Sequence, residues 1–135
     1  MTHASDVLVI SADAALGGAL REAGRQTADI ALLFHPGGVE ATVDEALLTR
    51  AAVMVVELDA ARRDHLLALQ SLMPRCGARP VVVLVDTCAD AVQRWFFQIG
   101  VRDLLRRPVQ GEDVLAACRR LLSGRLDPPS DYAEV

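Results

Sequence analysis

Two rhythms of apolar and polar positions alternate along this chain. "DVLVIS" (Asp6 to Ser11) is a near-continuous apolar run, the pattern of a strand buried on both faces. Behind it, Leu16, Leu20 and Ala23 fall on one helical stripe, and Gly24 is placed to stop it. "DIALLF" (Asp29 to Phe34) predicts a second strand, broken by "HPGG" (His35 to Gly38). Val39, Val43, Ala46 and Leu47 then give a second helical stripe. "AVMVVEL" (Ala52 to Leu58) is the third strand, and Leu66, Leu69 and Met73 mark a third helix ended by Pro74 or Gly77. "PVVVLV" (Pro80 to Val85) is the clearest strand, followed by a helix from about Cys88 to Ile99 that Gly100 closes. "VRDLL" (Val101 to Leu105) predicts a fifth strand stopped by Pro108, and Val114, Ala117, Cys118 and Leu121 a last helix. From Ser123 onward periodicity disappears and Pro-Pro and acids enter. The pattern divides the chain into a domain over residues 1–122 and a linker or tail over 123–135.

Strand and helix alternating with short connections imply a parallel sheet covered by helices on both faces. Five such units predict an α/β, flavodoxin-like (βα)5 doubly wound domain with strand order 2-1-3-4-5. Sites in such sheets form outside the carboxyl ends of the strands. The residues there are Ser11 to Asp13, Glu57 to Asp59, Val85 to Thr87 and Arg106 to Pro108.

Composition narrows the function classes. A chain of 135 residues, 52% hydrophobic, fits one ordinary core. Met1 to Asp6 is short and polar, unlike a signal peptide, and no apolar run approaches the ~20 residues of a membrane helix. A soluble, cytoplasmic protein is expected. Cys76, Cys88 and Cys118 form no C-x-x-C pair, and His3, His35 and His65 match no metal-ligand spacing, so neither a disulfide framework nor a metal site is predicted. The net charge of -4 argues against a nucleic-acid partner. Residues 94 to 125 nevertheless carry seven arginines against Asp103, Glu112 and Asp113. All fourteen basic residues are arginine; there is no lysine.

The strand ends, and above all "GVRDLLRRPV" (Gly100 to Val109), resemble the receiver domain of bacterial two-component response regulators over roughly residues 6 to 122. The resemblance implies a Mg²⁺ site made by two acids after strand one, a phospho-acceptor aspartate ending strand three, a hydroxyl ending strand four, and a lysine before a cis proline. On this chain those positions fall on Ser11 and Ala12 (with Asp13 one residue further), Glu57, Val85 and Arg107, and the switch aromatic of strand five on Leu104. The fold pattern matches and the active-site pattern does not. A register slip offers Asp13, Asp59 and Asp86, with Asp59 in the loop or at the cap of helix three, but supplies no lysine. Arg107 is placed to pair with Glu57 or Asp13.

Glu57 then has three readings. It pairs with Arg107 and fixes local structure; it imitates a phosphorylated aspartate permanently; or it is a live acceptor or acid. A glutamate carries one charge where a phosphoryl group carries about two, and no nucleophile stands beside it.

"WFF" (Trp95 to Phe97) is the other unusual stretch. Helical residues step by ~100°, so three adjacent rings cannot all face the sheet. Val92, Phe96 and Ile99 suit the buried side, which turns Trp95 sideways or outward, either lying across its neighbours or anchoring an interface. The resemblance implies a partner or homodimer face on the fourth helix, fifth strand and fifth helix, here including Arg94, Trp95, Arg102, Leu104, Arg119 and Arg120. "HPGG" lacks the Gly-Lys-Ser/Thr ending of a phosphate loop and reads as a turn.

The expectation is a degenerate, non-phosphorylated receiver-like domain, not an enzyme, without a cofactor, acting through protein contacts. Among receiver-like domains it resembles the N-terminal domain of Tad/Cpa-type pilus-assembly ATPases, which implies a following ATPase domain and a role in dimerisation and polar placement. Two alternatives stand beside it. One is a phosphorylatable response regulator in a phosphorelay, using Mg²⁺ and accepting the phosphoryl group at Asp59; the other is a small-molecule-binding flavodoxin-like domain using the "HPGG" and strand-end loops.

Overall fold

The computed structural model describes residues 4–123. Apart from Ser123, the predicted linker lies outside the described residues. The elements run β1 (Ser5–Ser11), α1 (Ala14–Gly24), β2 (Ile30–Pro36), α2 (Glu45–Arg50), β3 (Val53–Glu57), α3 (Arg63–Cys76), β4 (Val81–Val85), α4 (Asp90–Gln98), β5 (Asp103–Arg106) and α5 (Gly111–Leu122). The strands are parallel, in the order β2-β1-β3-β4-β5.

The core is split by the sheet, and this explains the unbroken apolar runs. Val7 and Val9, Val53 and Val55, and Val82 and Leu84 face one side, where Leu16, Leu20 and Ala23 of α1 meet Val114, Leu115 and Cys118 of α5. Leu8 and Ile10, Met54 and Val56, and Val81, Val83 and Val85 face the other, under α2, α3 and α4, with Leu48, Leu69, Leu72 and Phe96. Each residue of these three central strands is covered whichever way it points, so alternation never shows in the sequence.

Four boundaries differ from the pattern. β2 continues through His35 and Pro36 instead of stopping at Phe34. It is an edge strand, where proline is tolerated because a missing N–H can face outward. Val39 and Val43 are buried but precede α2, which begins at Glu45 after the Asp44 cap; Ala46 is exposed, and Leu48 is the helix's buried residue. A loop packed on the core imitated a helical stripe. Pro74 sits inside the last turns of α3, which ends against Gly77 at φ 61°. β5 begins at Asp103, two residues later than the apolar signal.

The closest helix approach falls at the start of α5. A Cβ on Gly111 would stand 2.7 Å from the carbonyl oxygen of Ala19 and 3.0 Å from the Ala23 methyl. The carbonyl belongs to the backbone of α1 and cannot rotate aside. Gly111→Ala should therefore cost about 1–3 kcal/mol in urea unfolding, although alanine is the better helix former. Unchanged stability would mean that α1 and α5 separate freely.

Candidate functional site

The parallel register sets the carboxyl ends of β1, β3, β4 and β5 side by side. Ile10 lies opposite Val56, Glu57 opposite Leu84, and Val85 opposite Arg106. The next residues in each strand or loop therefore converge. The Ser11 hydroxyl donates to Glu57 Oε1 at 2.9 Å and accepts the Asp13 backbone N–H at 2.9 Å. Asp13 caps α1, its Oδ1 accepting from the N–H groups of Ala15 (2.9 Å) and Leu16 (3.4 Å).

Arg107 closes the group from the opposite side. It follows β5 and precedes Pro108 across a cis peptide bond. Its Nη1 donates to Asp13 Oδ2 at 2.5 Å, and its Nη2 lies 3.1 Å from Glu57 Oε2. Nε is 3.7 Å from Asp86 Oδ1, too long for a hydrogen bond, and has no hydrogen-bond partner among the described residues. One guanidinium thus faces carboxylates from three strand ends. The three carboxylates differ in exposure: Glu57 is the most enclosed, Asp13 is partly open, and Asp86 is 81% exposed, so water screens its share. The Arg107 hydrogen bond holds the Asp13 carboxyl below its ordinary value; burial opposes this, and the α1 N–H groups reinforce it.

The residues present do not fit a resident Mg²⁺. A hard divalent ion needs several open carboxylate or water positions. Here the space among the carboxylates is occupied by a guanidinium, Ser11 spends its proton on Glu57, and Ala12 offers no ligand. Among the described residues, no group of three His, Cys, Asp or Glu is arranged to hold a metal ion.

The other candidate residues scatter. Val85 is wholly buried, with no hydroxyl to offer. Asp59 lies in the loop after β3, taking the Ala61 N–H on Oδ1 and giving its own N–H to His65 Nδ1; it does not cap α3, where Arg62 takes that position. Leu104 packs partly buried on the α2–α3–α4 side of the core. Trp95 does so too, its ring 5.6 Å from that of Phe96. Phe97, not Trp95, is the ring turned to solvent, at 45% exposure. Arg94 and Arg102 are exposed and carry no ion pair among the described residues. Arg120 pairs with Asp103 of β5 at 3.1 Å. Arg119 leaves that face: it bonds Asp29, at 2.7 Å, and Thr27 ahead of β2, on the opposite flank of α5.

Sequence reasoning anticipated the contact of Arg107 with Asp13 or Glu57 but missed Asp86 as a third neighbour and the bond from Ser11 to Glu57. The "SAD" spacing was the available signal, since a Ser or Asp just ahead of an apolar helix stripe is a capping pattern.

Sheet order and helix placement together define the fold of response-regulator receiver domains. Solved structures agree. A pilus assembly protein CpaE from Caulobacter crescentus CB15 superposes with a TM-score of 0.68 at 23% identity, over 86% of this chain and 98% of that one. A response regulator from Thermotoga maritima gives 0.69 at 16% identity, over 89% and 98%. A CheY-like response regulator from Mesorhizobium loti gives 0.68 at 15%, over 87% and 98%. No protein-family model and no curated protein sequence matches the chain.

The geometry fixes a pH test with a definite sign. Asp13 is held below its ordinary value, so its contribution is complete above 3.8 and is lost as pH falls through the lower, folded value. Arg107→Ala should cost about 1 kcal/mol in denaturant unfolding at pH 7, and the gap from wild type should narrow as pH is taken below 3.8. A gap independent of pH would remove Asp13 from the pairing.

Proposed function

We propose that this chain is a receiver-like domain that acts by binding proteins and transfers no phosphoryl group. The observation that carries the reading is Arg107, whose guanidinium reaches Asp13, Glu57 and Asp86 at once. A metal-dependent phosphoryl transfer needs an open cation position between acids and a free aspartate nucleophile in line with it. Here the acids are engaged, and the acceptor position carries Glu57, bonded to both Ser11 and Arg107. Of the three readings of Glu57, structural pairing with Arg107 is the best supported. The phosphorylatable alternative would have to use Asp59, which is exposed and faces His65 and Ala61.

Incubation with Mg²⁺ and acetyl phosphate should leave the intact mass unchanged. An acid-labile gain of one phosphoryl group would favour the phosphorelay alternative.

The partner surface in this reading is the side formed by α4, β5 and α5. It presents the Phe97 ring with Arg94, which is exposed and has no ion pair among the described residues. An exposed aromatic beside arginine is a common hot-spot composition. Self-association across this side would give the homodimer expected of the module. The similarity to the pilus assembly protein, at 23% identity, supports a role in pilus assembly.

Phe97 and Trp95 separate interface from core. Phe97→Ala should weaken self-association by roughly tenfold, about 1.4 kcal/mol, in sedimentation equilibrium, and leave unfolding unchanged. Trp95→Ala should lower stability instead, because that ring packs against the core. Equal association of wild type and Phe97→Ala, or a monomer in both, would remove this face from the proposal.

A further inference from the structure

A cleft of about 500 Å³ lies on the other side of the Asp13 cap, between α1 and the end of β2. Asp13 lines one end and Arg21 the other, with Gly17, Phe34, Pro36 and Gly37 between them. The volume is that of a small-molecule site.

Arg21 supplies the first argument. Its guanidinium carbon sits 4.1 Å from the centroid of the Phe34 ring, a cation held against an aromatic face. Arg25, Arg62, Arg75, Arg119 and Arg120 each pair with an acid; Arg21 has none among the described residues. The contact holds the guanidinium beside the ring, and its N–H groups, which have no acid partner among the described residues, can hold an anion in a fork.

The walls supply the second. Gly17 is buried yet brings no side chain, and a Cβ there would find Arg21 Nη1 and the Phe34 ring edge each 3.8 Å away. The Arg21 side chain therefore leans back along α1 to the level of Gly17, as helix geometry directs. Across the cleft, Gly37 at φ 103° occupies backbone space that disfavours any side chain.

Asp13 supplies the third. Both its oxygens already accept, one from α1 and one from Arg107, but a carboxylate has further lone pairs, and this one is 34% exposed. Gly17 lies four residues along α1 from Asp13, a rise of about 6 Å. The cleft thus carries a cation and an anion, with Phe34, Pro36 and the buried His35, whose ring nitrogens have no hydrogen-bond partner among the described residues, lining it as well. The start of α1 is no anion site itself, since Asp13 caps it.

We propose that this cleft binds a small organic carboxylate that carries a hydrogen-bond donor at its far end: the carboxylate on Arg21, the body against Pro36 and Gly37, the amine or hydroxyl on Asp13. Inorganic phosphate is disfavoured, because it offers no body to fill the cleft and brings a second negative charge towards Asp13. Because Asp13 also holds Arg107, the occupant shares a carboxylate with the strand-end network. The site does not depend on the receiver-like reading.

The test is a titration of the full ¹⁵N-labelled chain with 4-aminobenzoate, benzoate and aniline, read by amide shifts. The first has both end groups; the others have one each. Saturable shifts at Gly17, Arg21 and Gly37 are expected with 4-aminobenzoate, at roughly millimolar affinity, and about tenfold weaker binding with either single-ended probe. Arg21→Gln, an exposed substitution, should abolish saturation and leave amides remote from the cleft unmoved. Absence of saturation with all three probes, equal affinity for the three, or undiminished binding by Arg21→Gln would overturn the proposal. Each of those results leaves the phosphoryl-transfer test unaffected, and a phosphoryl adduct would leave this one unaffected.

Discussion

The arrangement of the strand ends turns on one guanidinium. Parallel pairing delivers Ser11 and Glu57 to the adjacent ends of β1 and β3, Arg107 reaches them from beyond β5 across the end of β4, and the α1 cap adds Asp13. Like charges at this spacing repel, so the constellation needs a cation. Arg107 provides it from within the chain, with its planar fork divided between Asp13 and Glu57.

An internal cation has different consequences from a bound metal. It cannot dissociate, and its presence does not vary with ion concentration. In the proposed reading, a fold that hosts a chemical switch is held in one electrostatic state. The fold alone does not decide function, since one architecture carries many activities. The decision falls on the side chains at the strand ends, and they are engaged with one another.

Much of the architecture was legible because β1, β3 and β4 are buried on both faces, which writes them as continuous apolar runs. The edge strand was harder: nothing in "HPGG" tells that pairing with β1 continues to Pro36. Periodicity reports burial, not backbone shape, so the packed segment around Val39 and Val43 read as helix. In "WFF", placing Phe96 inward leaves Trp95 and Phe97 at equal angles on either side. Which of them is covered depends on how far the core wraps each flank of α4, a tertiary fact absent from local sequence. At the site, the contact of Arg107 with acids was foreseeable from charge and sheet order. The departure of Arg119 towards Asp29 was not, because it depends on the rotation of α5 about its own axis.

The central claim is that Arg107 occupies the cation position at the carboxyl ends of the strands. Calorimetric titration of the wild-type chain with Mg²⁺ tests it most directly. With Arg107 in place, no saturable heat should develop up to roughly 10 millimolar, well above the affinity that open carboxylate sites reach. A saturable one-to-one binding heat below that concentration, lost on Asp13→Asn, would contradict it.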